Sequence, residues 1–283
     1  MKRFTALLSE TSGNELSLAG GKATRLGELV GKGLYIPDGF VVLTEAYREF
    51  VKRNRIWSEI EKIMNHISAK DMKLLQDASV RIGELFTHEE MSSDVASEIA
   101  SRYQDLGEPA VAVRSSATAE DLPGASFAGQ YDTFLNVRSV EAVLTSVMSC
   151  WASLWNAGAI SYRLANRIPQ DEETLSMACV VEELVDADKS GVLFTVNPLN
   201  NSKDQIVINS FFGLGEGVVS GEFACDHIVV DKNAAMTIKE EIGNKEYKII
   251  PDEKNGHGTI EVPLGAEERE RSSLSPEELV YSK

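Results

Sequence analysis

Residues 111–136 read VAVRSSATAEDLPGASFAGQYDTFLN. An alternating apolar run from residue 110 ends on Arg114. A loop of small, hydroxyl, acidic and glycine residues follows, and a second strand-like run occupies residues 133–137. Small residues let backbone N–H groups come close to a phosphate, and an arginine at a strand end adds a fixed fork of donors. By composition alone the stretch is a strand–loop–strand connection that carries the parts of an anion site.

Working outward toward the N-terminus, residues 18–30 read LAGGKATRLGELV. Gly20 and Gly21 permit backbone angles that other residues avoid, immediately before Lys22. Ala23, Leu26 and Val30 recur at helical spacing and Gly33 is placed to end the helix, so Lys22 is expected at a helix start, where anions are favoured. This is not a P-loop, because Leu16 stands where the first glycine belongs and Ala23 where the hydroxyl residue belongs. Residues 37–39 (PDG) predict a turn into a short buried strand, followed by a helix with Ala46, Tyr47, Phe50 and Val51 on one face. Steps of three and four between apolar residues continue from Ile56 through Phe86, which is a helical pattern.

Beyond the central stretch, Val143, Val147, Trp151 and Leu154 form the stripe of a long amphipathic helix, whose aromatic residues are read as core. From residue 176 the period changes. Residues 177–184, 191–196, 205–211, 226–230 and 235–240 are short β-like runs between Asn, Gly, Pro and Asp turns. The expected fold class is α+β, with a mostly helical first half, a β-rich second half and a cleft between two lobes. The expected boundaries are 1–175 for the first lobe, 176–264 for the second and 265–283 for a charged tail, with a short helix after Ser275-Pro276. The glycine-rich run at 212–221 (FGLGEGVVSG) fails as a dinucleotide fingerprint, since Val218 stands where the third glycine would fall.

Composition narrows the ligand classes. A formal net charge of −16 argues against nucleic acid or an anionic membrane as partner, because both require a clustered basic footprint. It leaves room for a nucleotide held by a few local cations. Cys150, Cys179 and Cys225 form no CxxC pair and read as buried or free thiols of a reducing compartment. No apolar run reaches the roughly 18 residues of a membrane helix, so a cytoplasmic protein is expected. The four histidines lack partners at metal-ligand spacing, and no metal ligand is assigned.

Taken together and in this order, GGKATRLGEL, VAVRSSATAEDLPGASFAGQYDTFLNV, KSGVLFTVNP and GLGEGVVSG resemble the N-terminal nucleotide-binding domain of phosphoenolpyruvate synthases and pyruvate phosphate dikinases, which rifampin phosphotransferases share. The resemblance implies an ATP-grasp-like, two-lobed fold that binds ATP with Mg²⁺. It also implies transfer of the nucleotide's β-phosphoryl group to a histidine on a separate domain and onward to an acceptor such as pyruvate. Lys22 and Arg114 would hold phosphates as the groups nearest the chemistry, and Gly129 and Thr133 would form a close-approach loop over them. The adenine would lie along residues 178–185, with Glu182, Glu183 and Val185 as contacts. The family usually has glutamine where this chain has Glu182, which only accepts hydrogen bonds and adds negative charge near a polyanion. The family's terminal Gln-x-Arg-Pro segment, expected to supply most Mg²⁺ ligands, its Thr-Ser-His phosphoacceptor motif and the pyruvate-binding barrel do not occur in these residues. The chain is therefore expected to be part of a longer phosphotransferase that does not turn over alone. The alternatives are a domain of an antibiotic kinase and a non-catalytic nucleotide-binding module.

Overall fold

The computed structural model describes residues 3–11, 13, 15–65, 67–118, 131–219, 221 and 223–281, without the side chains of 280 and 281. The chain forms two compact units, Met1–Leu184 and Val185–Lys283.

The first unit is built on five antiparallel strands. They are β1 (Thr5–Leu7), β2 (Gly39–Val42), β3 (Val111–Ala117), β4 (Thr133–Val137) and β5 (Met177–Glu183), in the spatial order β1-β2-β5-β3-β4. β5 is central because Met177 through Val181 are apolar on both sides and fully buried, the pattern of a strand covered on two faces. The expected boundary at 175 assigned this run to the second lobe, whereas the sheet takes it into the first unit.

One face of the sheet carries helix α1 (Leu16–Gly31), whose Ala19 and Ala23 pack on Val41, Ala178 and Val180. Gly33 closes this helix with φ +76°. Its N–H bonds the Val30 carbonyl and that of Leu34 bonds Leu29, so the last carbonyls are satisfied in a Schellman turn.

The other face is covered by six helices: α2 (Thr44–Arg53), α3 (Ile56–Met64), α4 (Met72–Thr87), α5 (Ser93–Asp105), α6 (Val140–Ser153) and α7 (Ala157–Ala165). Phe40, Val113 and Val181 of the sheet meet Tyr47, Phe50, Phe86 and Trp151 there, with Phe50 and Phe86 stacked at 5.8 Å. The helical stripes expected at 46–51 and 143–154 supply this core, and Trp151 and Trp155 are fully buried in it.

The second unit pairs β6 (Lys189–Phe194), β7 (Gln205–Phe212), β8 (Asp226–Asp231) and β9 (Met236–Glu241) in antiparallel order, with the short helix α8 (Glu216–Val219) between β7 and β8. A hairpin of β10 (Tyr247–Pro251) and β11 (Thr259–Pro263) and the helices α9 (Ala266–Arg269) and α10 (Pro276–Tyr281) complete it. Within residues 265–281 of the expected charged tail, Leu274 and Leu279 pack on Ile206, Ile208, Ile228 and Val230 of this unit.

α10 starts as the sequence suggests. The Ser275 hydroxyl accepts the Glu278 N–H and the Glu278 carboxylate accepts the Ser275 N–H, a reciprocal capping box with Pro276 at the first helical position. Lys189 donates to both Glu278 carboxylate oxygens. These bonds, the lysine's first, hold the Glu278 carboxyl at about 2 against an ordinary 4.5. A depressed carboxylate stabilises the fold above its unfolded value and loses that contribution as pH falls through the folded one. Amide-exchange protection at Leu279, whose N–H bonds Ser275, should therefore drop as pH is lowered from 4.5 toward 2. Protection that stays constant across that window would contradict the assignment. No helix among the described residues is long and apolar enough to cross a membrane.

Candidate functional site: a cation pair on the sheet face under α1

The β3–β5 register sets Ala112 opposite Glu182 and Arg114 opposite Val180, and β4 sets Thr133 opposite Arg114. Side chains alternate across a sheet, so Arg114, Thr133 and Glu182 share the face that carries α1. Arg114 Nη1 donates to Glu182 Oε1 at 2.6 Å. The glutamate side chain is 9% exposed and that of the arginine 39%, so the pair is rooted in the sheet and the guanidinium reaches solvent. Thr133 is exposed beside it.

The next two residues of β3 engage α1. Gly20 interrupts the helix at φ 71° and ψ 171°, angles that only glycine adopts readily, and a Cβ there would lie 2.1 Å from the Ser116 carbonyl oxygen. Across the interruption the Ala19 carbonyl and the Ala23 N–H both bond one side chain of β3. Ser116 Oγ inserts between them, accepting from Ala23 at 3.1 Å and donating to Ala19 at 2.8 Å. The renewed helix then places Lys22 so that its Nζ donates to the Ser115 carbonyl at 2.5 Å. Of three consecutive β3 residues, Arg114 is one cation, Ser115 holds the second, Lys22, and Ser116 fixes the turn that places it.

The sequence reading of Lys22 as the start of a helix is refined: the helix begins at Leu16 and breaks at Gly20. Arg114, Glu182 and Thr133 share one sheet face, and Lys22 bonds the carbonyl of Ser115, next to Arg114. Gly129 lies outside the described residues. Glu183 falls on the opposite face from Glu182, and its N–H bonds the Asp38 carbonyl at 2.9 Å. Val185 is exposed and is the first residue of the second unit. The sequence places Ser115 and Ser116 in the loop after Arg114, whereas β3 continues through both. Their roles depend on which strand and helix they face, and the one sequence signal for that contact is the Gly20-Gly21 pair.

Nearby thiols take no part. The Cys179 thiol is pushed well up, by burial first and by Cys150 next to it, so it stays protonated against the helical core. A hollow of about 550 Å³ beside β2, lined by Leu34, Tyr35, Ile36, Phe40, Arg102 and Leu106 among others, is mainly apolar and holds neither Lys22 nor Arg114. Among the described residues, no group of three or more His, Cys, Asp or Glu stands close enough to hold a metal ion.

β3 and α1 form a module that sets Lys22 and Arg114 at adjacent β3 residues beside the Gly20 turn, an arrangement able to position and neutralise phosphates. The comparison with known sequences gives this module a family. Residues 16–281 match the model of the pyruvate phosphate dikinase, AMP/ATP-binding domain, and the chain belongs to that family. Phosphoenolpyruvate synthase of Aeropyrum pernix is 41% identical over 277 residues, which are 95% of this chain and 34% of that protein. A probable phosphoenolpyruvate synthase of Methanocaldococcus jannaschii is 40% identical over 98% of this chain and 24% of its own length. For the phosphoenolpyruvate synthase of Pyrococcus furiosus the values are 37%, 98% and 39%. The chain therefore spans well under half the length of these relatives. Family membership supports ATP as its ligand.

Proposed function

We propose that the chain is the ATP-binding part of a phosphoenolpyruvate-synthase-like phosphotransferase. The whole enzyme would convert ATP, pyruvate and water to phosphoenolpyruvate, AMP and phosphate, by way of a histidine on a further domain. In this reading the fold is ATP-grasp-like, Lys22 and Arg114 hold the nucleotide phosphates and Thr133 lies over them. Residues 178–185, including Glu183 and Val185, run beside the adenine. Gly129 belongs to the same loop reading. Magnesium would accompany the nucleotide, and no described residue is assigned to it.

One observation carries the reading: Lys22 and Arg114 are anchored at adjacent β3 residues in a chain whose residues 16–281 match an AMP/ATP-binding family. The names of the relatives favour pyruvate over an antibiotic as the final acceptor. The chain's own part in the chemistry is to orient the phosphates and offset their charge, and it offers no covalent step at this site. Calorimetry tests this directly. ATP with Mg²⁺ should bind with measurable heat, and adenosine at least about tenfold more weakly, since charge-assisted bonds to phosphates supply most of the affinity. Equal affinity for ATP and adenosine would contradict it.

A further inference from the structure

We propose that Glu182 is a positioning residue that acts on the nucleotide's phosphates through Arg114 and does not read the adenine. The proposal rests on the nucleotide-site reading above and deepens it. It reverses the role that the resemblance implies for this position, and its basis is the register and geometry of β3 and β5.

Three observations support it. Strand pairing fixes Glu182 diagonally across from Arg114 on one face, so their contact is set by the backbone. The carboxylate is the more deeply seated partner, at 9% exposure against 39%, and it takes a bond from Nη1 at 2.6 Å. Among the described residues, this is the hydrogen bond that the guanidinium makes. A guanidinium carries five N–H donors in a rigid fork. A single bond from Nη1 therefore leaves its other edge to face an anion.

Separating the pair would leave a buried carboxylate without its cation, which is strongly unfavourable. The arginine should keep Glu182 when a phosphate arrives and reach the phosphate with its remaining donors. Glu182 then contributes direction: it removes the freedom of a long side chain before binding, so less ordering is lost on binding. Its negative charge also cancels that of Arg114 locally, which leaves Lys22 to supply the net positive charge of the face.

The test compares ATP, adenosine and inorganic tripolyphosphate as ligands of the wild-type chain, Glu182→Ala and Glu182→Gln. Titrations are followed by calorimetry for the two anions and by NMR for adenosine. Glu182→Ala should weaken ATP and tripolyphosphate about tenfold, as loss of an orienting partner does at other charged sites, with adenosine unchanged. Glu182→Gln keeps a carbonyl acceptor for Nη1 and removes a negative charge, so tripolyphosphate should bind as tightly as to wild type or tighter. Should Glu182→Ala fail to fold, the glutamine variant decides alone. A fall in adenosine affinity, or losses equal for adenosine and ATP, would assign Glu182 to the base and overturn the proposal. So would a glutamine variant with weakened tripolyphosphate binding. A wild-type chain that binds neither ATP nor tripolyphosphate would instead remove the nucleotide-site reading and this proposal with it.

Discussion

Replacing Asp226 by alanine should destabilise the second unit by about 3–5 kcal/mol, the range for leaving one member of a buried ion pair uncompensated. Asp226 and Lys245 are both fully buried. Asp226 Oδ1 accepts from Lys245 Nζ and from the Gly243 N–H at 3.0 Å. Its other oxygen accepts from both the N–H and the hydroxyl of Ser273 at 2.7 Å. Lys245 also donates to the Gly243 carbonyl and lies 5.7 Å from the centre of the Phe212 ring. The carboxylate therefore joins β8, the segment after β9 and the chain entering α10.

Alanine at 226 leaves a fully buried ammonium without its counter-charge. The pair Asp226→Asn with Lys245→Met replaces both charges and should recover most of the loss, because a buried pair is worth little against neutral groups of similar shape. All three tryptophans lie in the first unit, so their fluorescence is the wrong probe. Amide exchange at Ile208 and Ile228 against urea gives the answer. An Asp226→Ala protein with unchanged protection there would show that the cluster is not a keystone of the unit.

Gly20→Ala should cost about 3 kcal/mol and lower the melting temperature by about 10 °C. Two penalties combine. The angles φ 71° and ψ 171° lie in a region open essentially to glycine alone, and the added Cβ would stand 2.1 Å from the Ser116 carbonyl oxygen, which is sheet backbone and cannot move cheaply. Relief requires α1 to lift from β3, which breaks the Ser116 bridge and carries Lys22 away from Ser115. Stability and phosphate binding should thus fall together. Gly31→Ala is the control, since nothing lies within 4 Å of a Cβ there, and it should be neutral or slightly stabilising. Equal effects at the two glycines would refute the close-approach argument.

What the sequence made legible is what local spacing determines. The stripe Val143, Val147, Trp151 and Leu154 is fully buried, and Ser275-Pro276 does begin a capped helix. Each of these signals is contained within one short stretch of neighbouring residues. Strand pairing is different, because a one-residue change of register moves every side chain to the other face, and nothing in residues 177–183 names their neighbours. That is why the expected boundary at 175/176 differs from the 184/185 division, which follows from the pairing of β5 with β3 and β2. It is also why the pairing of Glu182 with Arg114, 68 positions earlier, has no local signal in the sequence. Lys245 was passed over for another reason. Lysines are nearly always solvated, and only the fold reveals one sealed in with its carboxylate.

The central claim is that Arg114 and Lys22 form a phosphate-binding pair. Calorimetric titration of ATP with Mg²⁺ into the wild-type chain and Arg114→Ala tests it most directly. Loss of a charge-assisted bond to phosphate is worth about 2 kcal/mol, so the variant should bind ATP roughly 30-fold more weakly while its adenosine affinity stays the same. ATP binding of equal strength in the two proteins would place the phosphates elsewhere and contradict the account.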